Sequence, residues 1–420
     1  MGKSDSWSTP DSRHRSRTLR RRRILVIRIA VIAGALLVSW IAQSQLHDDP
    51  VSVPGTAPDA SPTPEPICRA DGEFVAGFMS PQTDDQQTGE LLQRMNTDAI
   101  TFGGRVEPVD TDQYPADVAE QIGDRQAYEY TVEMNWEGID LDDSDTLVQV
   151  DDTEYGLIAA GDNSVVVTES VNGGDPFHSL TRVSDERDNN AFIGLPVPQM
   201  RTTDETWLPD SNYADVLDGF AEKFVAAYET RGADGYYLAM EMPLTDTTHW
   251  DPVADYYDRQ TQLINTVSPG ATVVISPYLE GRAGRETISP ETTALGYENL
   301  LGLANGTHML VSPQDGLGVD TTALEADESG EHRYTTEDYF AALHEVDPER
   351  LYVTIEAMTP GDGTPDTREE TSRERAEAQL DATDPYVQGG IGFQWAGPNA
   401  MMHIPHIGDG ACAAGPGELE

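Results

Sequence analysis

The body of the chain alternates short apolar runs with segments of helical periodicity. Eight such runs occur between residues 72 and 396, and most are bounded by Gly, Pro or Asp. Several are continuously apolar rather than alternating, which is typical of strands that are buried on both faces of a parallel sheet. The predicted strands are Glu73–Met79, Ala99–Gly103, Phe192–Val197, Gly235–Glu241, Thr272–Tyr278, His308–Ser312, Leu351–Glu356 and Gly390–Trp395.

Helix start and stop signals lie between these runs, including capping residues followed by a first-turn proline. Predicted helices run from Ser211 to about Arg231, from Asp251 to about Val267, from Ser289 past Leu301, from Thr335 to Val346 and from Thr367 to Leu380. Eight strands with helices between them favour an α/β fold, a (β/α)₈ TIM barrel. A doubly wound open sheet is the alternative, but no glycine-rich phosphate loop follows any strand.

Residues 106–190 exceed what a minimal barrel needs between its second and third strands. We expect a β-rich insertion on this connection, with Pro176–Arg187 as the barrel's own helix. Such insertions usually shape one wall of the mouth of a barrel. The strand-like pieces, separated by Asp and Gly turns, are Tyr128–Trp136, Thr146–Val150, Tyr155–Ala160 and Ser164–Glu169.

The N-terminal segment joins a basic cluster to an apolar run. Four consecutive arginines, residues 20–23, precede residues 24–42, which are interrupted only by Arg28 and Ser39. This pattern predicts a signal anchor or transmembrane helix over residues 24–46, with residues 1–23 as a basic cytoplasmic tail and the rest outside the cell. Cleavage near Ala42, which would release a secreted protein, is the alternative.

A proline-rich stretch and two cysteines follow. Residues 47–66 contain six prolines, which predicts an extended linker before a barrel domain over residues 67–420. The chain has only two cysteines, and in an exported protein such a pair predicts a disulfide between Cys68 and Cys412. Metal binding by the cysteines is a weaker alternative, because no CxxC or nearby His pair accompanies them.

The charge is strongly unbalanced along the chain. Lys and Arg number 26 against 74 Asp and Glu, which gives a net charge of −48, and most of the basic excess is confined to the N-terminal segment. An acidic body of this kind is repelled by a phosphate backbone, so a nucleic-acid partner is excluded. Hydrophobic residues make up 38% of the chain, enough for a folded core with the acidic side chains in the solvent.

Two carboxylates end nearly apolar strands. Glu241 closes the fourth predicted strand and Glu356 closes the seventh. Burial of a carboxylate there is costly unless it has partners or a task, and in a barrel the carboxyl ends of the strands meet at the catalytic mouth. Paired carboxylates are what glycosidic cleavage requires, so we expect Glu241 as general acid/base and Glu356 as nucleophile. The alternative is that each Glu pairs with a structural Arg or Lys.

Other strand ends supply further candidates. Asp315 follows the sixth strand on a tight turn and is a candidate catalytic carboxylate, although an Asx turn with its own backbone is the alternative. Tyr278, after the fifth strand, is the first candidate for a hydrogen-bond donor that keeps the Glu356 carboxyl ionised. Aromatic rings at these ends can stack on sugars, but they can equally be core-edge aromatics. The predicted substrate-binding residues are Gln82, Trp207, Tyr278, Gln314 and Trp395.

Metal and cofactor motifs are not evident. The nine histidines are scattered, and the sequence contains neither an HExxH motif nor a GxSxG elbow. We therefore expect chemistry by carboxylates alone, without metal or cofactor.

The motifs at the strand ends resemble a known bacterial family. Asp234-Gly235-Tyr236-Tyr237 before Glu241, Ile275-Ser276-Pro277-Tyr278, Pro313-Gln314-Asp315-Gly316-Leu317-Gly318 and Ile355-Glu356 look like domain of unknown function 4434. The likeness covers residues 72–396. It implies a glycoside-hydrolase-like (β/α)₈ barrel with an active site that contains Glu241, Asp315 and Glu356. Met240 stands where the large retaining-glycosidase clan usually has Asn before the acid/base.

These features leave three functions open. The first is a cell-surface glycoside hydrolase that acts on an extracellular or envelope polysaccharide. The second is a glycan-binding barrel without turnover, and the third is an anchored structural or assembly protein. The expected partners are a carbohydrate and, through the N-terminal helix, the membrane.

Overall fold

A computed structural model describes residues 74–80, 82–132, 146–170, 175–198, 211–245, 250–283, 287–325, 330–359 and 369–393. All of them belong to one compact unit, residues 64–420. The predicted tail, anchor helix and linker, and both cysteines, lie outside the described residues. No helix within the described ranges is both long and apolar enough to span a membrane.

Sixteen strands occur in the described part of the chain. They are β1 (Phe74–Met79), β2 (Asp98–Thr101), β3 (Gly104–Val109), β4 (Gln126–Val132), β5 (Thr146–Val150), β6 (Thr153–Ala159), β7 (Ser164–Ser170), β8 (Ala191–Gly194), β9 (Val197–Pro198), β10 (Gly235–Leu238), β11 (Thr272–Ile275), β12 (His308–Val311), β13 (Val353–Ile355), β14 (Met358–Thr359), β15 (Glu369–Glu370) and β16 (Gly390–Gly392).

Eight of these strands form one all-parallel sheet that curls into a nearly closed barrel. Its order is β12-β11-β10-β8-β2-β1-β16-β13. The two outer strands meet through backbone hydrogen bonds, from Tyr352 N to Val311 O at 2.9 Å and from Asp315 N to Thr354 O at 2.9 Å. This is an α/β architecture consistent with a TIM barrel. The first to eighth barrel strands are β1, β2, β8, β10, β11, β12, β13 and β16, and each overlaps a predicted strand.

Eight α-helices are described, and they are α1 (Asp85–Met95), α2 (Ala116–Ile122), α3 (Pro176–Asp185), α4 (Ser211–Thr230), α5 (Trp250–Val267), α6 (Pro290–Leu301), α7 (Thr336–His344) and α8 (Arg373–Thr383). Local capping explains several starts. Ser289 Oγ accepts from Thr292 N before α6, and Thr335 with Asp338 forms a reciprocal capping box before α7.

Helix α8 begins six residues later than predicted. Glu369 and Glu370 pair with Met358 and Thr359 in a short antiparallel ladder, and Ser372 then caps the helix. The predicted start at Thr367 was therefore wrong, because backbone pairing takes precedence over the helical pattern there.

The insertion forms a six-stranded sheet of order β5-β6-β7-β4-β3-β9. It packs on α4, where Tyr128 stacks on Tyr213 at 5.4 Å and Tyr130 contacts Phe220 at 5.0 Å between ring centroids. The β-rich insertion is thus present, but it also recruits β9, which follows the third barrel strand. Val197 had been predicted as part of that strand; instead it pairs with Arg105 of the insertion sheet.

The barrel divides its apolar residues between two cores. Inward-facing side chains of the strands form an interior cluster that includes Phe78, Ile100, Phe192, Tyr237 and Leu310. The strand residues that point outward pack beneath the helices in a larger cluster. This alternation decides which strand-end residues face the barrel mouth.

Candidate active site

Both predicted glutamates lie at the C-terminal mouth of the barrel, at or just beyond the ends of their strands. In the seventh strand Tyr352 belongs to the interior cluster, whereas Val353 and Ile355 pack outside, so Glu356 continues the inward set. The fourth strand ends at Leu238, and Glu241 lies three residues beyond it, close enough to the interior residue Tyr237 for its carboxylate to add to the raised pKa of that hydroxyl. Both carboxylates are therefore presented at the C-terminal face of one barrel.

Glu356 is held tightly by the loop that follows the sixth strand. Its side chain is only 3% exposed, and Gly318 N donates to Oε2 at 3.0 Å. A backbone N–H aimed at a carboxylate favours the ionised form of that group. The carboxylate is thus fixed by main chain from the neighbouring barrel strand.

Asp315 lies beside Glu356 but is completely buried. Its Oδ1 accepts from Leu317 N at 3.1 Å, which is the Asx turn considered above. Its Oδ2 accepts from Gln379 Nε2 at 2.8 Å and, more weakly, from Glu356 N at 3.4 Å. Burial raises the pKa of the Asp315 carboxyl to about 6. The three donors come from the loop after the sixth strand, from the end of the seventh strand and from α8, so Asp315 connects these elements.

Helix α8 supports this loop with two side chains that sequence reasoning missed. Gln379 Nε2 donates both to Asp315 Oδ2 and to Glu356 O, the latter at 2.9 Å, and Arg375 donates to Leu317 O at 2.9 Å. A helix residue gives no strand-end signal, so the pattern that located the glutamates did not extend to these two. They hold the Asp315–Gly318 turn against the seventh strand.

Glu241 occupies a more open position than Glu356, being partly exposed. Two buried tyrosines lie close to it. Burial raises the pKa of the Tyr237 hydroxyl, and the Glu241 carboxylate adds to this shift. Burial likewise raises the pKa of Tyr257, with smaller contributions from Tyr256, Glu241 and Tyr278, while Tyr257 donates to Met240 O at 2.8 Å. Tyr257 therefore fixes the backbone immediately before Glu241.

Backbone pairing beyond the strands brings other predicted residues to the same rim. Tyr278 N donates to Met242 O at 3.2 Å, and Gln314 N donates to Pro277 O at 2.8 Å. Tyr278 is half-buried, whereas Gln314 is 6% exposed and its Nε2 makes a long contact of 3.4 Å to Ser276 O. Gln82, after the first strand, donates to Ser80 O at 3.1 Å.

Beneath this rim three hydroxyls connect the fifth, sixth and seventh strands. Thr354 Oγ1 lies 2.9 Å from both Ser276 Oγ and Ser312 Oγ. Ser276 is also close enough to Tyr237 to lower its pKa somewhat, yet the Tyr237 hydroxyl has no well-formed hydrogen bond within the described residues. These three strands therefore carry a buried layer of hydroxyls above their apolar interior residues.

The opposite half of the mouth is aromatic, and sequence reasoning did not single it out. Phe78 and Phe102 stack with centroids 5.2 Å apart, and Phe393 lies edge-on to both. These residues are on the first, second and eighth strands, whose apolar runs were assigned to the core. Side chains alternate between the two faces of a strand, so Phe102 and Phe393 face inward like Ile100 and Ile391. This alternation is the sequence signal that could have identified the two phenylalanines.

Trp207 and Trp395 lie outside the described residues, so their predicted roles stay predictions. In the described ranges no group of three or more His, Cys, Asp or Glu side chains is arranged to hold a metal ion. The chemistry that the described geometry supports is that of carboxylates, hydroxyls and aromatic rings.

Comparison with known proteins identifies a family and supports the barrel fold. The family model described as "Domain of unknown function (DUF4434)" matches residues 160–398. No curated protein sequence matches the chain.

Among solved structures, a candidate alpha-L-fucosidase from Bacteroides thetaiotaomicron superposes with a TM-score of 0.50 and 11% identity, over 87% of this chain and 97% of that chain. A pyruvate carboxylase from Rhizobium etli gives a TM-score of 0.34 at 12% identity, over 56% of this chain and 20% of that one. The C-terminal domain of Legionella pneumophila ChiA gives 0.31 at 11% identity, over 76% and 92% respectively. The first similarity supports the barrel fold, and the other two are too weak to support a conclusion.

Proposed function

The chain belongs to the DUF4434 family, and we propose that it is a cell-surface glycoside hydrolase that cleaves a glycosidic bond of an extracellular or envelope polysaccharide with retention of configuration. The observation that carries this proposal is the pair of strand-end glutamates, Glu241 and Glu356, turned into the mouth of one barrel. The mouth further offers the partly exposed rings of Phe102 and Phe393, a kind of surface on which sugars stack.

In this proposal Glu356 is the nucleophile. The Gly318 N–H at 3.0 Å holds the carboxylate in one orientation. Tyr278, the donor expected from the sequence, belongs to the same rim and is a further candidate for this task. Asp315 acts through its hydrogen bonds to Gln379 and to the backbone of Glu356, so we assign it a positioning role.

Glu241 is the general acid/base. Glu356 is the more buried of the two glutamates. Desolvation favours the protonated form of a carboxyl group, so burial alone would make Glu356 rather than Glu241 the acid. Access to water decides in favour of Glu241, because the second half of the reaction requires the base to activate an incoming water molecule. A partly exposed carboxylate meets that need better than one that is 3% exposed.

The reaction then balances in two steps. The Glu356 carboxylate attacks the anomeric carbon, the bond to the leaving oxygen breaks, and Glu241 transfers its proton to that oxygen. Glu241, now ionised, removes a proton from water, whose oxygen attacks the anomeric carbon and displaces Glu356. Both carboxyl groups return to their starting states.

A glycan-binding barrel without turnover is the second candidate, and the burial of Glu356 favours it. A nucleophile must reach the anomeric carbon, whereas Glu356 lies beneath the Gly318 loop. The two candidates share one binding surface and differ in whether this loop admits a sugar ring to the carboxylate.

The deciding experiment measures reducing-end release by the purified full-length protein from a panel of neutral and acidic polysaccharides. We expect turnover of at least one substrate, and we expect Glu356→Gln to abolish it. Glu222→Gln, an exposed substitution on α4, is the matched control and should leave turnover unchanged. Binding without release by the wild-type protein would select the second candidate, and turnover that survives Glu356→Gln would contradict the assigned nucleophile.

The location is part of the proposal. Residues 24–46 have the composition of a signal anchor, and the basic cluster before them, residues 20–23, predicts that the barrel lies outside the cell. Protease treatment of intact cells tests this, because the barrel should be released whereas a cytoplasmic control protein stays protected.

A further inference from the structure

Helix α8 places the amide of Gln379 between two groups of the candidate site. The side chain is completely buried, and its Nε2 donates to Asp315 Oδ2 at 2.8 Å and to Glu356 O at 2.9 Å. Both hydrogens of the amide nitrogen are therefore in use. One planar group thus connects the Asp315 carboxyl to the backbone of the glutamate that we propose as nucleophile.

The oxygen of the same amide is in a different situation. Gln379 Oε1 is buried, and it accepts no hydrogen bond from any described residue. Buried polar atoms in folded proteins are nearly always paired, because an unpaired one has lost its bonds to water without a replacement. An unused acceptor therefore lies on the same amide as the nitrogen that binds Asp315.

Asp315 needs such an acceptor when it carries a proton. The described partners of its carboxyl group are all N–H donors, namely Leu317 N, Gln379 Nε2 and, more weakly, Glu356 N. Three donors suit a carboxylate, which only accepts, whereas a protonated carboxyl group also requires an acceptor for its O–H. Of the three partners, only the Gln379 side chain can exchange its donor for an acceptor, by a half turn of the amide about its last torsion.

The charged groups around Asp315 set the pH at which this need arises. Arg375 on α8 favours the carboxylate, and the seventh strand ends in the carboxyl group of Glu356. The described contacts from the loop after the sixth strand and from α7 are uncharged, and the one from α7 is the Thr336 hydroxyl, which donates to Asp315 O at 3.1 Å. Burial outweighs the favourable contacts and raises the pKa of the Asp315 carboxyl to about 6. The carboxyl group therefore changes charge in mildly acidic solution.

The half turn has a consequence for Glu356. In the reversed amide, Oε1 would face both the Asp315 carboxyl and Glu356 O, and the bond to Glu356 O would be lost because two carbonyl oxygens both lack a hydrogen. The oxygen and nitrogen ends of an amide are similar in size, so the reversal requires no additional space. Protonation of Asp315 would thus release the backbone of Glu356 from α8.

We infer that Gln379 is a positioning residue, whose amide holds Glu356 while Asp315 is a carboxylate and reverses when Asp315 takes up a proton from the solvent. Apart from the O–H bond of Asp315, only hydrogen bonds change. This inference rests on the proposed function, because the position of Glu356 matters to that reaction. It adds a residue outside the barrel strands that controls the nucleophile, and the direction in which pH acts on it.

Neutron diffraction from deuterium-exchanged crystals of the full-length protein at pH 5 and pH 8 shows the amide orientation without any need for turnover. At pH 8 we expect two deuterium atoms on the amide atom that faces Asp315 Oδ2 and Glu356 O, and none on the Asp315 carboxyl. At pH 5 we expect a deuterium atom on Asp315 and the amide oxygen facing it. One orientation at both pH values would overturn the inference.

Asp315→Asn measures the effect on Glu356. Asn is neutral at every pH and its amide can donate to Gln379 Oε1, so the variant should hold Gln379 in the reversed orientation. We expect its kcat at pH 8 to be roughly 10- to 100-fold below that of the wild-type protein, as for a misplaced reacting group, with KM little changed. The ratio of the two kcat values should approach one at pH 5. Because titration of the reacting carboxyl groups affects both proteins, this ratio isolates the contribution of Asp315.

Two further variants complete the series. Gln379→Met has neither donor nor acceptor at the end of its side chain, so its kcat should follow the same pH-dependent ratio to wild type. Asp381→Asn makes the matched change at an exposed position of α8 and should leave kcat unchanged at both pH values. Thermal unfolding checks that each variant is folded, and if either one is not, the neutron structures of the wild-type protein decide.

The outcomes separate this inference from the proposed function. Reversal of the amide in a protein that cleaves no glycan supports the inference, while the proposed function fails. Glu356-dependent turnover in which the kcat ratios are the same at pH 5 and pH 8 supports the proposed function and contradicts the positioning role of Gln379.

Discussion

Gly318 and Glu356 are joined by a hydrogen bond from the Gly318 N–H to Glu356 Oε2, 3.0 Å long. The approach leaves no space for a side chain at position 318. A Cβ there would lie 2.6 Å from Met358 Cγ and 2.7 Å from Glu356 Cβ. Glycine is thus required by close packing, and the same packing orients the carboxylate that we propose as nucleophile.

We predict that Gly318→Ala impairs catalysis far more than folding. The added methyl group must displace Glu356 or the loop, and loss of one positioned backbone donor costs roughly 100-fold in kcat. The measurement is kcat on a substrate identified from the panel, with thermal unfolding as the check on folding. Gly89→Ala is the control, because the nearest atom to its Cβ belongs to the flexible end of Arg187 at 3.3 Å. Equal kcat for the two variants would show that this hydrogen bond does not position the nucleophile.

The positions of the barrel strands could be predicted because buried parallel strands are continuously apolar, and each predicted run overlaps an observed strand. The ends of these strands could not be predicted. The fourth strand was predicted to reach Glu241 but ends at Leu238, since sequence does not show where a residue leaves the ladder. The third strand was likewise cut short at Gly194, where a Cβ would lie 2.2 Å from Gly103 N. Two segments of the chain approach each other closely there before they enter the insertion sheet, and no local pattern encodes such an approach.

The residues of the candidate site likewise include some that the sequence indicated and others that it did not. The pattern of a polar residue after an apolar strand led to the prediction of Glu241 and Glu356, because burial of a carboxylate there is costly without a purpose. Phe102 and Phe393 look like core residues in any sequence, and only the closed barrel reveals their position at the mouth. Gln379 could not be foreseen, since its contact with Asp315 spans 64 residues and depends on where α8 begins.

Gln379→Leu should destabilise the protein in a pH-dependent way. The folded pKa of Asp315, about 6, lies above the ordinary 3.8, so its contribution to the free energy of unfolding is fully present below pH 4 and is lost as pH rises through 6. Removing the Gln379 donor raises that pKa further. We expect a loss of about 1–3 kcal/mol at pH 8 and a smaller loss at pH 4.

Denaturant unfolding at the two pH values measures this difference directly. Gln262→Leu is the matched control, because Gln262 is exposed on α5 and its amide bonds to Asp258 in the same helix. A pH-independent loss for Gln379→Leu would show that Asp315 is not ionised in the folded protein at pH 8.

The acidic surface should make stability depend on salt. A net charge of −48 produces self-repulsion in the folded state, and salt screens it over a Debye length that falls from about 30 Å at 0.01 M to about 10 Å at 0.1 M. We expect the unfolding temperature at pH 7 to rise by several degrees between these concentrations of NaCl. The rise should shrink at pH 4, where many carboxylates are protonated. An unfolding temperature that stays constant or falls with NaCl at pH 7 would contradict this account.

Glu241→Gln distinguishes the acid/base role from the nucleophile role. The variant cannot protonate the leaving oxygen, so it should lose roughly 10²- to 10⁴-fold in rate on a natural glycan. It should retain the first step on a dinitrophenyl glycoside, whose leaving group needs no proton, and the glycosyl-enzyme should accumulate because no base activates water. Intact-mass measurement after quenching would detect this adduct, and peptide mapping would assign it to Glu356. Equal losses on both substrates, as expected for Glu356→Gln, would move the acid/base role away from Glu241.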